Sequence, residues 1–444
     1  MADTALYRRV WRWHFYAGLF VLPFILVLSV TGAIYLFKPQ LDRWEERAWL
    51  HLPQAGAVSA DQQVEAALAA FPGAQFQHYR LPREMGDAAM IQLGTAAGAV
   101  REVYVSPAGK VLGTLDPEAR LSAVLARFHG SLMLGKAGDW LVELAASWTI
   151  VLIVSGLFLW WPRGGKAGHF LPRLRLAGRP KWKDLHRTVG LWCAGFVLVL
   201  LASGLPWAGV WGSAFKAVRT ELGLIKGPQN WKIGADDGHG GHGGGAVDHA
   251  AMGHAMPPAP PQPEGALPIH VFVTMADAEG LAFPVLVLPP HAPQKFGPPT
   301  GAVWTAKSEA QNRTLNETVT YDPMTGAELS RSTFADKHPI DRAVNYGIAW
   351  HEGQLFGLAN QLIGVATALA LIFVAVAGTV MWLKRRPQGA LGAPEAVPLG
   401  RRWGMFAVIA VLAALLPLFA LSLVVVVLVD AAYSGLKPLA RKIS

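Results

Sequence analysis

Four histidines stand at the starts of four apolar stretches, in two matched pairs, and this constrains the chain more than anything else in it. His14 is followed by Gly18, Thr31 and Gly32, and His186 by Gly190, Ser203 and Gly204; both read His-x3-Gly-x12-(Ser/Thr)-Gly without a gap. His129 is followed by Gly135, Ser155 and Gly156, and His351 by Gly357, Ala377 and Gly378, again at identical spacing. The pattern predicts a duplicated chain whose halves each keep two histidines at fixed places on membrane helices. Ionisable groups at or inside a bilayer are costly and tend to be functional.

The apolar residues, 52% of the 444, are bunched. Runs of about 20 residues match a bilayer core of ~30 Å. Five such runs occur, at roughly 14–37, 138–161, 188–211, 358–383 and 404–429. The expected fold class is therefore a membrane α-helical bundle of about five transmembrane helices with internal duplication. The first run is too long for a signal-peptide core and is followed by Lys38, Asp42 and Arg43, so it reads as an uncleaved anchor. Lys and Arg cluster at Arg8, Arg9 and Arg12, at Lys384, Arg385, Arg386, Arg401 and Arg402, and across 163–187. That last segment carries Arg163, Lys166, Arg173, Arg175, Arg179, Lys181, Lys183 and Arg187 against one acid, Asp184. By the positive-inside rule these segments and the N-terminus are cytoplasmic. The net charge of +9 is thus a topology signal and calls for no nucleic acid. Trp11, Trp13, Trp160, Trp161, Trp382 and Trp403 fall at the expected interfaces. Lys437, Arg441 and Lys442 in the tail oppose this orientation, which makes helix 5 the outlier. The single cysteine, Cys193, excludes an intramolecular disulfide and any cysteine-based iron–sulfur or zinc site.

The expected order is helix 1 (1–37), a periplasmic α+β module (38–128), helix 2 (129–162), a basic cytoplasmic loop (163–185) and helix 3 (186–211). A second periplasmic module (212–350), helix 4 (351–384), a cytoplasmic linker (385–403), helix 5 (404–429) and a tail (430–444) complete it. Val103–Leu112, through Ser106-Pro107-Ala108-Gly109, reads as a β-hairpin, and so does Val319–Leu329, through Asp322-Pro323-Met324-Thr325-Gly326. Ala60 to Phe71 has a helical period, with Asp61 placed to cap it. Residues 234–265 are Gly-, His-, Met- and Pro-rich, with His239, His242, His249, Met252, His254 and Met256 close together. Imidazoles with thioethers suit copper; a spacer is the alternative.

Helices 1 and 3 run outward and helices 2 and 4 inward, so His14 and His186 lie near the cytoplasmic face and His129 and His351 near the external one. His129 to Trp161, as unbroken helix, would span ~48 Å. The economical reading is two bis-histidine b-type haems, one per leaflet, each drawing one ligand from each half. Gly18 and Gly190, one turn after their histidines, would let a flat macrocycle approach, and Gly135 and Gly357 could serve similarly. Arg12, Arg127, Arg187 and Arg342 are candidates for propionate contact, and Phe15, Phe128 and Trp192 for packing on the ring. Glu143 and Glu352 are the carboxylates that a bare metal site would use. Two histidines per iron leave no open position, which favours electron transfer. No nucleotide-binding βαβ unit is present, so electrons would come from a separate donor, such as a cytoplasmic flavoprotein docked on the basic 163–187 loop.

Several of these pieces together resemble a known family. Trp11-Arg12-Trp13-His14-Phe15-Tyr16-Ala17-Gly18-Leu19, Ser29-Val30-Thr31-Gly32, Phe128-His129-Gly130, Asp184-Leu185-His186-Arg187 and Gly190-Leu191-Trp192 look like the PepSY-associated transmembrane family, as do the two hairpins. The likeness runs to about residue 386. It implies PepSY-like modules in the periplasm, a bacterial inner-membrane location, and an oxidoreductase that passes electrons to a ferric-siderophore or other metal chelate and releases Fe(II). The matching histidines are His14, His129, His186 and His351. The His/Met-rich insert and helix 5 depart from shorter members, and the insert makes a copper chelate an alternative. Two other functions compete: a non-redox, membrane-anchored binding or regulatory protein, and a copper-handling carrier that collects metal on its loop.

Overall fold

The computed structural model describes residues 2–161, 170–225, 231–234, 264–294, 298–395 and 403–429. The helices are α1 (Ala2–Tyr35), α2 (Lys38–Glu45), α3 (Ala60–Ala70), α4 (Leu121–Ser131), α5 (Gly135–Trp160), α6 (Gly178–Gly204), α7 (Gly209–Glu221), α8 (Ile269–Ala278), α9 (Pro339–His351), α10 (Leu358–Leu383) and α11 (Trp403–Leu415). A last helix, α12, covers Pro417–Val429.

Among the described residues, four helices (α1, α5, α6 and α10) are long and apolar enough to cross a membrane. Their most apolar windows are only 17% to 33% buried inside the protein, so most of their surface needs an apolar surrounding. This is a multi-pass membrane protein. The four close into a ring, with α5 on α1, α1 on α10, α10 on α6 and α6 on α5. Gly156, late in α5, lies against His14, early in α1, so these two run antiparallel; Gly378 of α10 against His186 of α6 repeats the arrangement.

Helix 5 differs from its expectation as one span over 404–429. Pro417 lacks the N–H that would continue the helix, and the chain divides there into α11 and α12, neither longer than 17 residues. Trp211 Nε1 donates to the Leu415 carbonyl at the break (3.0 Å), and Trp148 Nε1 donates to Ser422 Oγ (3.2 Å). The tail lies outside the described residues.

The unbroken helix expected from His129 to Trp161 is also interrupted. After α4, Leu132 and Met133 take left-handed φ values of 52° and 60°, and Gly135 takes 56°. In the other half, Gly353 at 73° and Gly357 at 56° separate α9 from α10. His129 and His351 therefore sit on short helices packed beside α1 and α6, respectively. Helices 2 and 4 begin at Gly135 and Leu358 rather than at the histidines.

The two expected modules form one layer. Strands β1 (Gln75–Arg80), β2 (Ala89–Gly94), β3 (Val100–Val105), β4 (Val111–Leu115), β5 (Val285–Leu288), β6 (Trp304–Ser308), β7 (Thr318–Tyr321) and β8 (Glu328–Ser332) make an antiparallel sheet of order β4-β3-β2-β1-β5-β6-β7-β8. The halves join where Tyr79 pairs with Val287 and Arg80 with Leu286. Both hairpins form as expected, and Gly109 and Gly326 take the positive φ their turns need (78° and 70°). One face of the sheet is covered by α3 and α8 over a core that includes Tyr79, Ile91, Val103, Phe272, Trp304 and Tyr321. The cap of α3 is Ser59, boxed with Gln62. Asp61 instead receives the Ile269 and His270 N–H groups at the start of α8, tying the two halves together.

Both excursions leave the bundle and return to it at the same end, so the sheet sits there. A buried ionic network anchors it. Glu46, after α2, accepts from both terminal nitrogens of Arg80 on β1 (3.0 and 2.8 Å), from Arg120 (2.6 Å) and from the Tyr104 hydroxyl (2.7 Å). Burial pushes the Glu46 carboxyl up, but Arg80, Arg120 and Tyr104 outweigh it and hold the group at about 2.

Candidate functional site

Each of the four histidines lies on a small-residue seat supplied by another helix. A Cβ added at Gly32 would lie 2.9 Å from His129 Cε1, one at Gly204 3.2 Å from His351 Cε1, one at Gly156 3.3 Å from His14 Cε1, and one at Gly378 3.6 Å from His186 Cε1. In three seats the hydroxyl of the residue before the glycine faces the ring's Nδ1, and in three the carbonyl three residues earlier still does. His129 Nδ1 lies 3.0 Å from the Leu28 carbonyl and 3.3 Å from Thr31 Oγ1. His351 Nδ1 lies 2.9 Å from the Leu200 carbonyl and 3.1 Å from Ser203 Oγ. His14 Nδ1 lies 2.9 Å from Ser155 Oγ. His186 Nδ1 lies 2.9 Å from the Val374 carbonyl, and its seat has Ala377 in the hydroxyl position.

A carbonyl oxygen can only accept, so Nδ1 carries the proton in His129, His186 and His351; at His14 the Ser155 hydroxyl donates to the Leu152 carbonyl (3.1 Å), which leaves its oxygen to accept from Nδ1, and Nε2 of each ring presents its lone pair. None of the four makes a hydrogen bond through Nε2 to another described residue. This is how proteins prepare a histidine for a metal: the outer hydrogen bond fixes tautomer and ring direction.

The rings pair. His14 and His186 have centroids 6.5 Å apart with planes at 90°, and His129 and His351 are 6.1 Å apart at 77°. Two imidazoles on opposite sides of one metal would stand about 6.3 Å apart, from a metal–nitrogen bond of about 2.0 Å and a nitrogen-to-centroid distance of about 1.15 Å on each side. Both spacings are compatible with one metal held between the two rings of a pair, and both also lie within the range of an edge-to-face ring pair. Among the described residues no group of three or more His, Cys, Asp or Glu side chains forms a metal cluster. On the helices that carry His14 and His186, a Cβ added at Gly190 would meet no described atom within 4 Å, and one at Gly18 only Leu152 Cδ2 at 3.9 Å.

The other expected residues divide. Gly135 and Gly357 take positive φ values (56° each) at the turns that lead into α5 and α10. Arg127 donates to the Glu118 carboxylate and carbonyl (2.5 and 2.6 Å), Arg12 to the Pro394 carbonyl, and Arg187 weakly to the Trp160 carbonyl (3.5 Å). Arg342 is half-buried in the first turn of α9. Phe15 is covered by Arg385, whose guanidinium carbon is 5.4 Å from its ring centre and 4.8 Å from that of Trp11. Phe128 and Trp192 are exposed on the protein surface. Glu143 accepts from Val210 and Trp211 N–H (2.9 and 3.1 Å) and so caps α7. Glu352 is buried. The only acid in the basic loop, Asp184, is taken by Arg173 (2.7 Å). His239, His242, His249, Met252, His254 and Met256 lie outside the described residues.

Sequence reasoning missed the seats, although the signal was in the repeat itself: the (Ser/Thr/Ala)-Gly pair recurs at fixed distance from each histidine because it holds a different histidine. It also missed Trp207, whose ring centre is 5.3 Å from that of His351.

A family model described as the PepSY-associated TM region matches residues 11–385. The chain belongs to this PepSY-associated transmembrane family. The match takes in all four histidines and both halves of the sheet and stops before α11. No curated protein matches the chain.

Proposed function

We propose that this PepSY-associated protein is a di-haem electron carrier of a bacterial inner membrane, with the sheet in the periplasm and the basic segments in the cytoplasm. The observation that carries the reading is the spacing of the two imidazole pairs, 6.5 and 6.1 Å, with every Nδ1 already bound. Bound b-type haems would supply reversible one-electron chemistry. His14 and His186 would hold one and His129 and His351 the other, and with two imidazoles for each haem the chemistry supplied is electron transfer. Gly18 and Gly190 would clear the face beside the distal pair, His14 and His186.

From His14 to the His129 seat at Gly32, α1 rises by ~27 Å, and α6 rises equally from His186 to Gly204. That is close to the ~30 Å apolar core, so the pairs would lie near opposite membrane faces. The matched spacings and the matched packing of α1 with α5 and α6 with α10 support an origin by duplication. A cytoplasmic donor such as a flavoprotein would give one electron at the distal pair, and a periplasmic ferric-siderophore or other metal chelate would take it at the sheet-side pair, its Fe(III) becoming Fe(II).

The test is the oxidised and dithionite-reduced absorption spectrum of the detergent-purified protein, with haem counted per chain. Two bis-histidine haems are expected. His14→Ala or His186→Ala should remove one, and His129→Ala or His351→Ala the other. A haem-free chain from haem-supplied cells refutes the reading.

A further inference from the structure

Three of the four seats carry a hydroxyl and one does not. In three of them a hydroxyl stands beside the ligand's Nδ1: Ser155 at 2.9 Å from His14, Ser203 at 3.1 Å from His351 and Thr31 at 3.3 Å from His129. In the fourth, beside His186, the corresponding residue is Ala377, which is fully buried. The sheet-side pair therefore has two hydroxyls and the distal pair one.

The hydroxyls have only one role open to them. Ser155 Oγ donates its proton to the Leu152 carbonyl (3.1 Å), Ser203 Oγ to the Leu200 carbonyl (3.0 Å), and Thr31 Oγ1 to the Val27 carbonyl (2.8 Å) or the Leu28 carbonyl (3.3 Å). With that proton spent on the backbone, the oxygen can only accept, and the nearest donor is the imidazole Nδ1–H. A second acceptor on Nδ1–H draws the proton away from the ring and makes Nε2 a stronger donor to its metal. A stronger donor stabilises the more highly charged, oxidised metal, and hydrogen bonding outside the ligand shell is one of the protein's levers on a haem potential.

We infer that the seat hydroxyls are positioning residues that set the two metal centres apart in reduction potential, each hydroxyl lowering the potential of the pair it serves, with Ala377 as the built-in exception. This rests on the proposed bis-histidine haem reading. Its consequence is directional. The extra hydroxyl at the sheet-side pair makes the exit centre the better reductant for an acceptor on that side, while the distal centre accepts an electron more readily.

The test is an equilibrium redox titration of the purified, haem-loaded full-length protein, following the two haems by their separate spectral signatures, with haem per chain measured in every variant. Ala377→Ser adds the missing hydroxyl and should lower the potential of the distal centre alone. Ser155→Ala removes the hydroxyl from the same centre and should raise it. Ser203→Ala should raise the sheet-side centre alone. Each shift is expected to change the one-electron reduction equilibrium several-fold, where tenfold corresponds to about 59 mV. Opposite signs for Ala377→Ser and Ser155→Ala at one centre are what a merely structural role would not produce. If Ala377→Ser fails to load haem, the opposite-centre pair Ser155→Ala and Ser203→Ala decides alone. Two haems present with potentials unmoved, or moved together, overturn the inference and leave the haem reading standing. Absence of haem from the wild-type chain overturns the haem reading itself, and the inference with it.

Discussion

Adding one methyl group at Gly32 should dislodge the sheet-side centre, while the same change at Gly378 should leave the distal centre intact. The Gly32 methyl would lie 2.9 Å from His129 Cε1 and 3.2 Å from its Nδ1, well inside ordinary contact, and the ring cannot retreat freely because Nδ1 is bound to Leu28 at 3.0 Å. The Gly378 methyl would lie 3.6 Å from His186 Cε1, an ordinary van der Waals distance. Overpacking a fitted site costs ~1–3 kcal/mol. At about 1.4 kcal/mol per tenfold, that makes the sheet-side centre weaker by roughly 5- to 150-fold for Gly32→Ala. Gly204→Ala and Gly156→Ala, at 3.2 and 3.3 Å, should fall between. The assay is haem per chain at limiting haem, read from reduced-minus-oxidised spectra that separate the two centres. Full sheet-side occupancy in Gly32→Ala, together with loss at the distal centre in Gly378→Ala, would refute the assignment of seats to histidines.

Three further outcomes are expected. Gly190→Ala meets no described atom outside its own turn of helix within 4 Å, so the apo-protein should melt no lower than wild type while distal haem is retained less well; unchanged retention would show that no ring lies there. Asp341→Asn leaves Arg219, 1% exposed and paired with Asp341 at 2.7 Å, as an uncompensated buried cation. The expected loss is about 3–5 kcal/mol, measured by thermal unfolding in detergent, and a change under 1 kcal/mol would argue against it on the same scale. The Glu46 carboxyl is depressed from 4.5 to about 2, so its contribution is full above pH 4.5 and is lost as pH falls through about 2. At 1.36 kcal/mol per unit this is roughly 3 kcal/mol, shared with its partners. Glu46→Gln should flatten the fall in melting temperature between pH 5 and pH 3, and an unchanged slope would count against the network as the acid-sensitive joint.

The sequence by itself determined the spanning helices α1, α5, α6 and α10, the two hairpins and the four histidines, because each is written in local terms: runs of apolar residues, turn residues that permit positive φ, and an exact internal spacing. It also paired His14 with His186 and His129 with His351, as the ring distances of 6.5 and 6.1 Å bear out. It could not show that His129 and His351 leave the spanning helices, because the break depends on left-handed turns at Leu132 and Met133, residues with no preference for them. Nor could it fuse the two α+β segments, because the pairing of Tyr79 with Val287 joins strands two hundred residues apart and has no local signature. The seats are the clearest case. Thr31-Gly32 and its three counterparts were visible as a repeat, but what each holds is a ring from another helix. Only packing brings that ring within reach, and only there does the missing hydroxyl at Ala377 become a difference between two histidine pairs rather than one more small residue in an apolar helix.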